Sequence, residues 1–386
     1  MIQRQKNQKK GCRKTSLYLR DPDTFISGLR LEVEDLDHLS KRFKGLLDPT
    51  SFCFSSPSKM SDFIAVKAGS GISIHKDGKE AYVWKDTQFL DTASARGLYY
   101  ASTQRGGVYK VLQGSDGCPR VSSLHPACAG GGKSIGAFMT KTALFVKGGR
   151  RSSAAAIMLN NKGGKKHVLK VSPRHTIVDW DTCDNRLGII STIFTLGSKG
   201  SLSWCQVSKH SKILCRSIFR VPLPKHGRCQ CLGVSHDAAY AAILADKNKL
   251  IVLKLGLNRR VEVISMLELS TFPKNIRCLG FYQMSHDADH GEAEKLNLKF
   301  LYVLGESKYI KSQIAFLTLN TRNNDVSEAR GLVKTLPPIQ PSRCVVNQEG
   351  GSWIVMSGTN ALYAKVRLVY FGRSKRINWS RNSKSI

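Results

Sequence analysis

Seven short apolar segments of one shape recur along this chain, and the recurrence limits its fold more than any other feature. They are GISIH (71–75), GVYKVL (107–112), AAIMLN (155–160), SLSWCQV (201–207), LIVLKL (250–255), IAFLTL (314–319) and ALYAKV (361–366). Between the markers Ile72, Val108, Ala156, Leu202, Ile251, Ile314 and Leu362 the intervals are 36, 48, 46, 49, 63 and 48 residues. A sustained period of this length marks a chain built from repeated supersecondary units. The long interval contains the polar segment SHDADHGEAEK (285–295), which reads as a single inserted loop.

Each marker has further strand-like segments around it in constant order. FLDTAS (89–94) and LYYAS (98–102) precede Val108, TIVDWD (176–181) and LGIIS (187–191) precede Leu202, and CLGVS (231–235) and YAAIL (240–244) precede Ile251. A fourth segment often follows, as in RVSSL (120–124), HVLKV (167–171) and VEVISML (261–267). Gly, Asn, Asp and Ser separate these runs, so the body is all-β. Three or four strands per repeat of about 40–50 residues predict a seven-bladed β-propeller, assigned to residues 63–371. No innermost strand is evident before Phe63, and RLVYF (367–371) or RINWS (376–380) is available to join the chain ends. Joining matters because an open ring leaves unpaired strand edges.

CLGVSHDAAYAAILADKNKLIVLKL (231–255) resembles a WD-repeat blade: Ser235-His236-Asp237 closes the first strand and Asp246-Lys247-Asn248 turns into the third. FLDTASARGLYYASTQRGGVYKVL (89–112) has the same form. The resemblance is to a divergent WD-repeat-like β-propeller, since the Trp-Asp pair is missing from every third strand. Trp180-Asp181 stands on a first strand instead. What the resemblance implies is a platform for other proteins, without catalysis.

The chain ends have a different character. Residues 1–27 form a basic arm, with seven Lys or Arg and no acid in residues 1–20, expected to be disordered. Residues 28–48 are expected to form an amphipathic helix. Leu29, Val33, Leu36 and Phe43 recur at helical spacing, with acids early and bases late in the segment. A second basic tail, 372–386, ends the chain.

Charge narrows the function. Sixty Lys and Arg against 28 Asp and Glu leave +32, of which residues 1–20 and 365–386 carry 14. Such an excess favours a polyanionic partner. The candidate polyanion contacts are Lys147, Arg150, Arg151, Lys162, Lys165, Lys166 and Arg174 in the third repeat, Lys209 and Lys212 in the fourth, and Arg373, Lys375 and Arg376 in the tail. No aromatic stripe interleaves these bases, so the expected contact is with phosphates rather than stacked bases.

Other chemistry is weakly signalled. The eleven cysteines are scattered without a Cys-x-x-Cys pair and read as buried reduced thiols. Ala127–Ser134 matches a loose phosphate-binding loop with Ala in place of the first Gly, but strand-like SIGAFMTKTALFV follows where a helix is needed. His286, Asp289 and His290 could chelate a metal, although the segment reads better as a solvated acidic loop. No nucleophile elbow or kinase motif is present, no cofactor, metal or small-molecule substrate is expected, and no apolar run of about 18 residues occurs.

The sequence therefore predicts a non-enzymatic docking subunit of a nuclear or nucleolar ribonucleoprotein assembly, such as a ribosome-biogenesis particle, binding RNA and partner proteins. The alternative is a protein-only scaffold in a cytoskeletal, trafficking or ubiquitin-ligase complex. A cytoplasmic or mitochondrial location is the alternative to a nuclear one.

Overall fold

In the computed structural model the described residues are a short helix with its two caps, 28 strands, and some of the connections between them. The described connections are 198–200, 221–223, 227–228, 235–239, 246, 248, 256, 260, 269, 276, 283–284, 293–297 and 321–324. The strands form seven four-stranded antiparallel sheets among these residues.

Sheet I holds β2 (Pro49–Ser56), β3 (Lys59–Lys67), β4 (Gly71–Lys76) and β5 (Lys79–Trp84). Sheet II holds β6 (Phe89–Ala95), β7 (Leu98–Thr103), β8 (Val108–Gln113) and β9 (Pro119–His125). Sheet III holds β10 (Gly132–Ala137), β11 (Ala143–Gly148), β12 (Ala154–Leu159) and β13 (Lys166–Lys170). Sheet IV holds β14 (Ile177–Asp184), β15 (Ile190–Gly197), β16 (Ser201–Ser208) and β17 (Ile213–Arg220). Sheet V holds β18 (Cys229–Val234), β19 (Tyr240–Ala245), β20 (Lys249–Leu255) and β21 (Val261–Glu268). Sheet VI holds β22 (Cys278–Tyr282), β23 (Leu298–Glu306), β24 (Ser312–Asn320) and β25 (Asp325–Thr335). Sheet VII joins β26 (Cys344–Val346), β27 (Ile354–Ser357) and β28 (Tyr363–Tyr370) to β1 (Leu29–Asp35) from the other end of the chain.

Every marker segment of the sequence falls on, or overlaps, the third strand of its sheet. The first strands of neighbouring sheets meet, β2 with β6, β6 with β10, β14 with β18 and β18 with β22, so first strands line the centre. In five sheets the register slips after the first residue of this inner strand, at Pro49/Ser51, Phe89/Asp91, Gly132/Ser134, Ile177/Asp179 and Cys229/Cys231. An extra residue at the same point sharpens the strand twist in each sheet. These bulges show a shared blade geometry that the residue identities hide.

Burial decreases outward across a sheet. All six residues of β19, YAAILA, are buried, whereas the outermost β21 alternates between exposed and half-buried positions. The middle strands of sheet V are packed on both faces because that sheet lies between sheets IV and VI, and a continuous apolar run suits that position. The core is accordingly a series of wedges between sheets. Phe194, Leu202, Leu232 and Ile243 belong to the wedge between sheets IV and V; Leu244, Val252, Leu301 and Leu317 belong to the next.

The amphipathic helix expected over 28–48 is not formed in its first part: residues 29–35 are strand β1, and 36–48 lie outside the described residues. Leu29, Leu31 and Val33 alternate with Arg30, Glu32 and Glu34, a period of two that pairs β1 antiparallel with β28 from Leu29↔Tyr370 to Asp35↔Ala364. Long-range pairing outweighed the weaker spacing of three and four. RLVYF thus takes part in joining the chain ends, and the joined unit starts at residue 29 rather than 63. The innermost strand missing from the sequence reading is β2. Within the expected disordered arm, Pro22–Ser27 is a helix, capped by Asp21, which accepts a 2.9 Å bond from the Thr24 N–H. Its Phe25 is wholly buried and stacks on Tyr370 at 4.9 Å. Residues 1–20 and 371–386 lie outside the described residues.

The closing sheet is fastened at several points. Arg367 bonds Glu32 across the pair at 2.6 Å, and the Leu368 N–H donates to the Tyr282 hydroxyl of sheet VI at 2.9 Å. Burial pushes the Tyr282 phenol up to about 12.

Candidate docking surfaces

Two aspartates clasp sheet IV to sheet V at the centre. On β14, Asp179 and Asp181 stand two residues apart and so share one face. Asp179 Oδ2 accepts from the Leu232 N–H and Asp181 Oδ2 from the Val234 N–H, each at 2.7 Å. Leu232 and Val234 are also two apart, on β18, the inner strand of sheet V. An inner edge strand has no neighbour for its outward N–H groups, and the carboxylates supply the acceptors in place of a fifth strand. Asp181 also accepts from the Thr182 N–H at 2.8 Å. Burial raises its carboxyl from 3.8 to about 7, the two backbone N–H bonds act to lower it, and the Asp179 charge adds to the rise. The misplaced Trp-Asp pair of the sequence therefore has a structural role.

At the end of the sheets where the first strand turns into the second, Ser235, Asp237 and Tyr240 build the tight turn after β18. Ser235 Oγ donates to Asp237 at 2.6 Å and accepts from the Tyr240 N–H at 2.9 Å. Lys299 of sheet VI reaches across to Asp237 at 2.7 Å, with its ammonium 5.7 Å from the Tyr240 ring centre. Burial works to raise the Asp237 carboxyl, but the Lys299 charge and hydrogen bonds to Lys299, Ser235 and Ala239 together hold it below the usual range.

The opposite end, where second strands turn into third strands and one sheet passes to the next, differs in charge. Connections of those two kinds carry 17 Lys and Arg against 4 Asp and Glu in sequence. Connections at the other end carry 11 against 8. Among the connections the basic excess therefore belongs mainly to one rim, while the chain ends, with 12 Lys and Arg against 2 Asp, join sheet VII at the other. Among the described residues the basic rim has a hollow of about 570 Å³ between sheets IV and V, lined by Lys199, Arg220, Val221, Pro222, Leu223, Gly227 and Arg228.

Most of the candidate contacts read from sequence, Arg150, Arg151, Lys162, Lys165, Arg174, Lys209, Lys212, Arg373, Lys375 and Arg376, lie outside the described residues. Lys147 is on β11 and Lys166 begins β13. The register puts Lys147 opposite Ala155 but Lys166 opposite Met158, at opposite ends of sheet III. Lys199 was overlooked because a single Lys in the turn Ser198-Lys199-Gly200 carries no sequence signal of its own. His286, Asp289 and His290 lie outside the described residues. Of the loop-like Ala127–Ser134 motif, the described part Gly132–Ser134 opens strand β10, whereas a phosphate-binding loop needs a helix start there. Cys183, Cys205, Cys229 and Cys231 are buried, and burial, with a smaller contribution from Asp246, pushes the Cys229 thiol up to about 12.

No protein-family model and no curated protein matches this sequence. Solved structures do match. The β-propeller domain of Cps50 (Swd1) from Myceliophteria thermophila is 8% identical with a TM-score of 0.51, covering 82% of this chain and 95% of that one. The N-terminal domain of Nup159 is 10% identical with a TM-score of 0.56, covering 88% and 96%.

The chain has a β-propeller fold.

Identity this low transfers the fold and no activity. In the propeller the inner strands and their clasps form the frame that carries the two rims. No helix among the described residues is long and apolar enough to cross a membrane.

Proposed function

We propose that this propeller is a non-enzymatic docking subunit of a nuclear ribonucleoprotein assembly, such as a ribosome-biogenesis particle, and that its basic rim contacts RNA phosphates. The observation that carries this is the division of charge between the rims: 17 bases against 4 acids in the connections of one, 11 against 8 in those of the other. A field of one sign over one face draws in a polyanion and orients it, while giving little sequence selectivity. The opposite rim, whose connections are more balanced, is left for partner proteins. The Swd1 β-propeller domain and the Nup159 N-terminal domain show that sequences this different reach the same fold. The acid-free residues 1–20 support nuclear delivery.

Binding of unrelated single-stranded RNAs across a salt series tests the proposal. Log K is expected to fall linearly with log salt at roughly 0.7 per phosphate contacted, with similar affinity for all sequences. Weak, salt-insensitive binding contradicts it, and copurifying partners unchanged by nuclease favour the protein-only scaffold instead. Removal of residues 1–20 is expected to reduce nuclear accumulation of a tagged chain.

A further inference from the structure

The hollow at the basic rim has walls fixed by the backbone. The turn at 198–200 joins β15 to β16, and Gly200 adopts φ +83 there. A Cβ at Gly200 would come within 2.9 Å of Leu223 Cδ1 and 3.1 Å of the Val221 carbonyl oxygen, so the turn and the following linker fit only around glycine. The Val221 N–H donates to the Gly200 carbonyl at 2.7 Å, and the Cys229 N–H donates to the Ser198 carbonyl at 2.9 Å. The chain therefore leaves the turn at Val221 and returns to it at Cys229. On the far side, Arg228 is tied to sheet V by its N–H bond to Asp246 Oδ1 at 2.8 Å and by the Asp246 N–H bond to its carbonyl at 3.0 Å.

Three cations line the space so enclosed. Lys199 is at the apex of the turn, Arg220 at the end of β17 and Arg228 at the entry to β18, and all three are exposed. No acid is among the described lining residues, and the Asp246 carboxylate already accepts the Arg228 N–H. A volume of about 570 Å³ lies within the roughly 300–1,000 Å³ typical of ligand pockets. Guanidinium groups pair with phosphate oxygens two at a time, and an ammonium adds a mobile point charge.

We infer that this hollow, lined by Lys199, Arg220 and Arg228 between sheets IV and V, is a phosphate-binding pocket. Its ligand under the proposed function, on which that part of the inference rests, is one or two consecutive phosphates of an RNA backbone.

The test compares the full-length chain with two triple variants of equal charge. Lys199→Ala/Arg220→Ala/Arg228→Ala empties the pocket, and Arg260→Ala/Lys295→Ala/Arg322→Ala removes three exposed cations from the opposite rim. Pyrophosphate and an unstructured oligouridine serve as probes. Pyrophosphate is expected to raise the melting temperature of the wild type and of the opposite-rim variant but not of the pocket variant. Emptying the pocket should reduce the salt slope for oligouridine by about 1, from one or two lost contacts at roughly 0.7 each, and the opposite-rim changes should not. An equal pyrophosphate shift in all three proteins, or in none, overturns the pocket. Equal loss of oligouridine affinity in both variants overturns a local RNA site in favour of a diffuse field. If the wild type fails to bind oligouridine while the pyrophosphate shift still depends on the pocket, the phosphate site stands and the RNA platform falls. Should the pocket triple variant not fold, the single Lys199→Ala change at the turn apex replaces it, with the same expected directions.

Discussion

Asp181 makes the stability of this propeller depend on pH in an unusual direction. Most native carboxylates are held below their unfolded value, so proteins lose stability as acid protonates them. Burial holds Asp181 at about 7, against 3.8 for the free side chain. A group raised in the folded state contributes stability that is complete below the unfolded value and is lost as pH rises through the folded one. For folded and unfolded values of 7 and 3.8 the linkage relation gives roughly 2 kcal/mol more stability at pH 5 than at pH 7. The change Asp181→Asn keeps the shape and one acceptor oxygen while removing the titration. Urea unfolding of both proteins at several pH values between 5 and 8 measures the difference. The histidines and the acids away from this aspartate pair titrate alike in the two proteins and cancel. The wild type should gain about 2 kcal/mol relative to the variant between pH 7 and pH 5. Parallel pH profiles would refute the buried clasp, as would a wild type that loses ground on acidification.

Other parts of the frame give smaller or simpler effects. Replacing Asp179 with Ala leaves the Leu232 N–H without its carboxylate acceptor, and a loss of about 1–3 kcal/mol is expected by urea denaturation. Gly233→Ala places a Cβ 2.6 Å from the Gly280 Cα of the next inner strand, so backbone must move; thermal melting should show a loss of roughly 1–3 kcal/mol. Lys299→Met breaks the partly exposed bridge to Asp237, with side chains 29% and 37% accessible, so stability should fall by no more than about 1 kcal/mol, and less in high salt. Removal of residues 1–35 takes away α1 and β1, leaves the edge of β28 unpaired, and should produce aggregation visible by light scattering.

The repeat was legible because blades must alternate apolar strands with polar turns, and the marker segments fall on third strands, which in sheet V pack between sheets IV and VI, where a continuous apolar run is required. The closing strand was not legible. In LRLEVED a two-residue alternation overlaps a three-and-four spacing that extends to Phe43, and only the distant partner β28 decides between them. The aspartate clasp was partly visible as the Asp-x-Asp of TIVDWD on an inner strand. Its acceptor role depends on N–H groups 53 residues away on β18. For the docking surface, sequence supplied the total charge but not its placement. Clusters such as Lys147 with Lys166 are close along the chain and lie at opposite ends of a sheet, whereas Lys199, Arg220 and Arg228 meet only after two sheets have packed together.

Ultraviolet crosslinking of the intact protein to single-stranded RNA, with the attached peptides located by mass spectrometry, tests the docking account most directly. Adducts are expected on the segment from Lys199 to Arg228 and on other connections of the same rim. Adducts confined to the turns around Asp237, Arg260 and Arg322, or to the two chain ends alone, would contradict it.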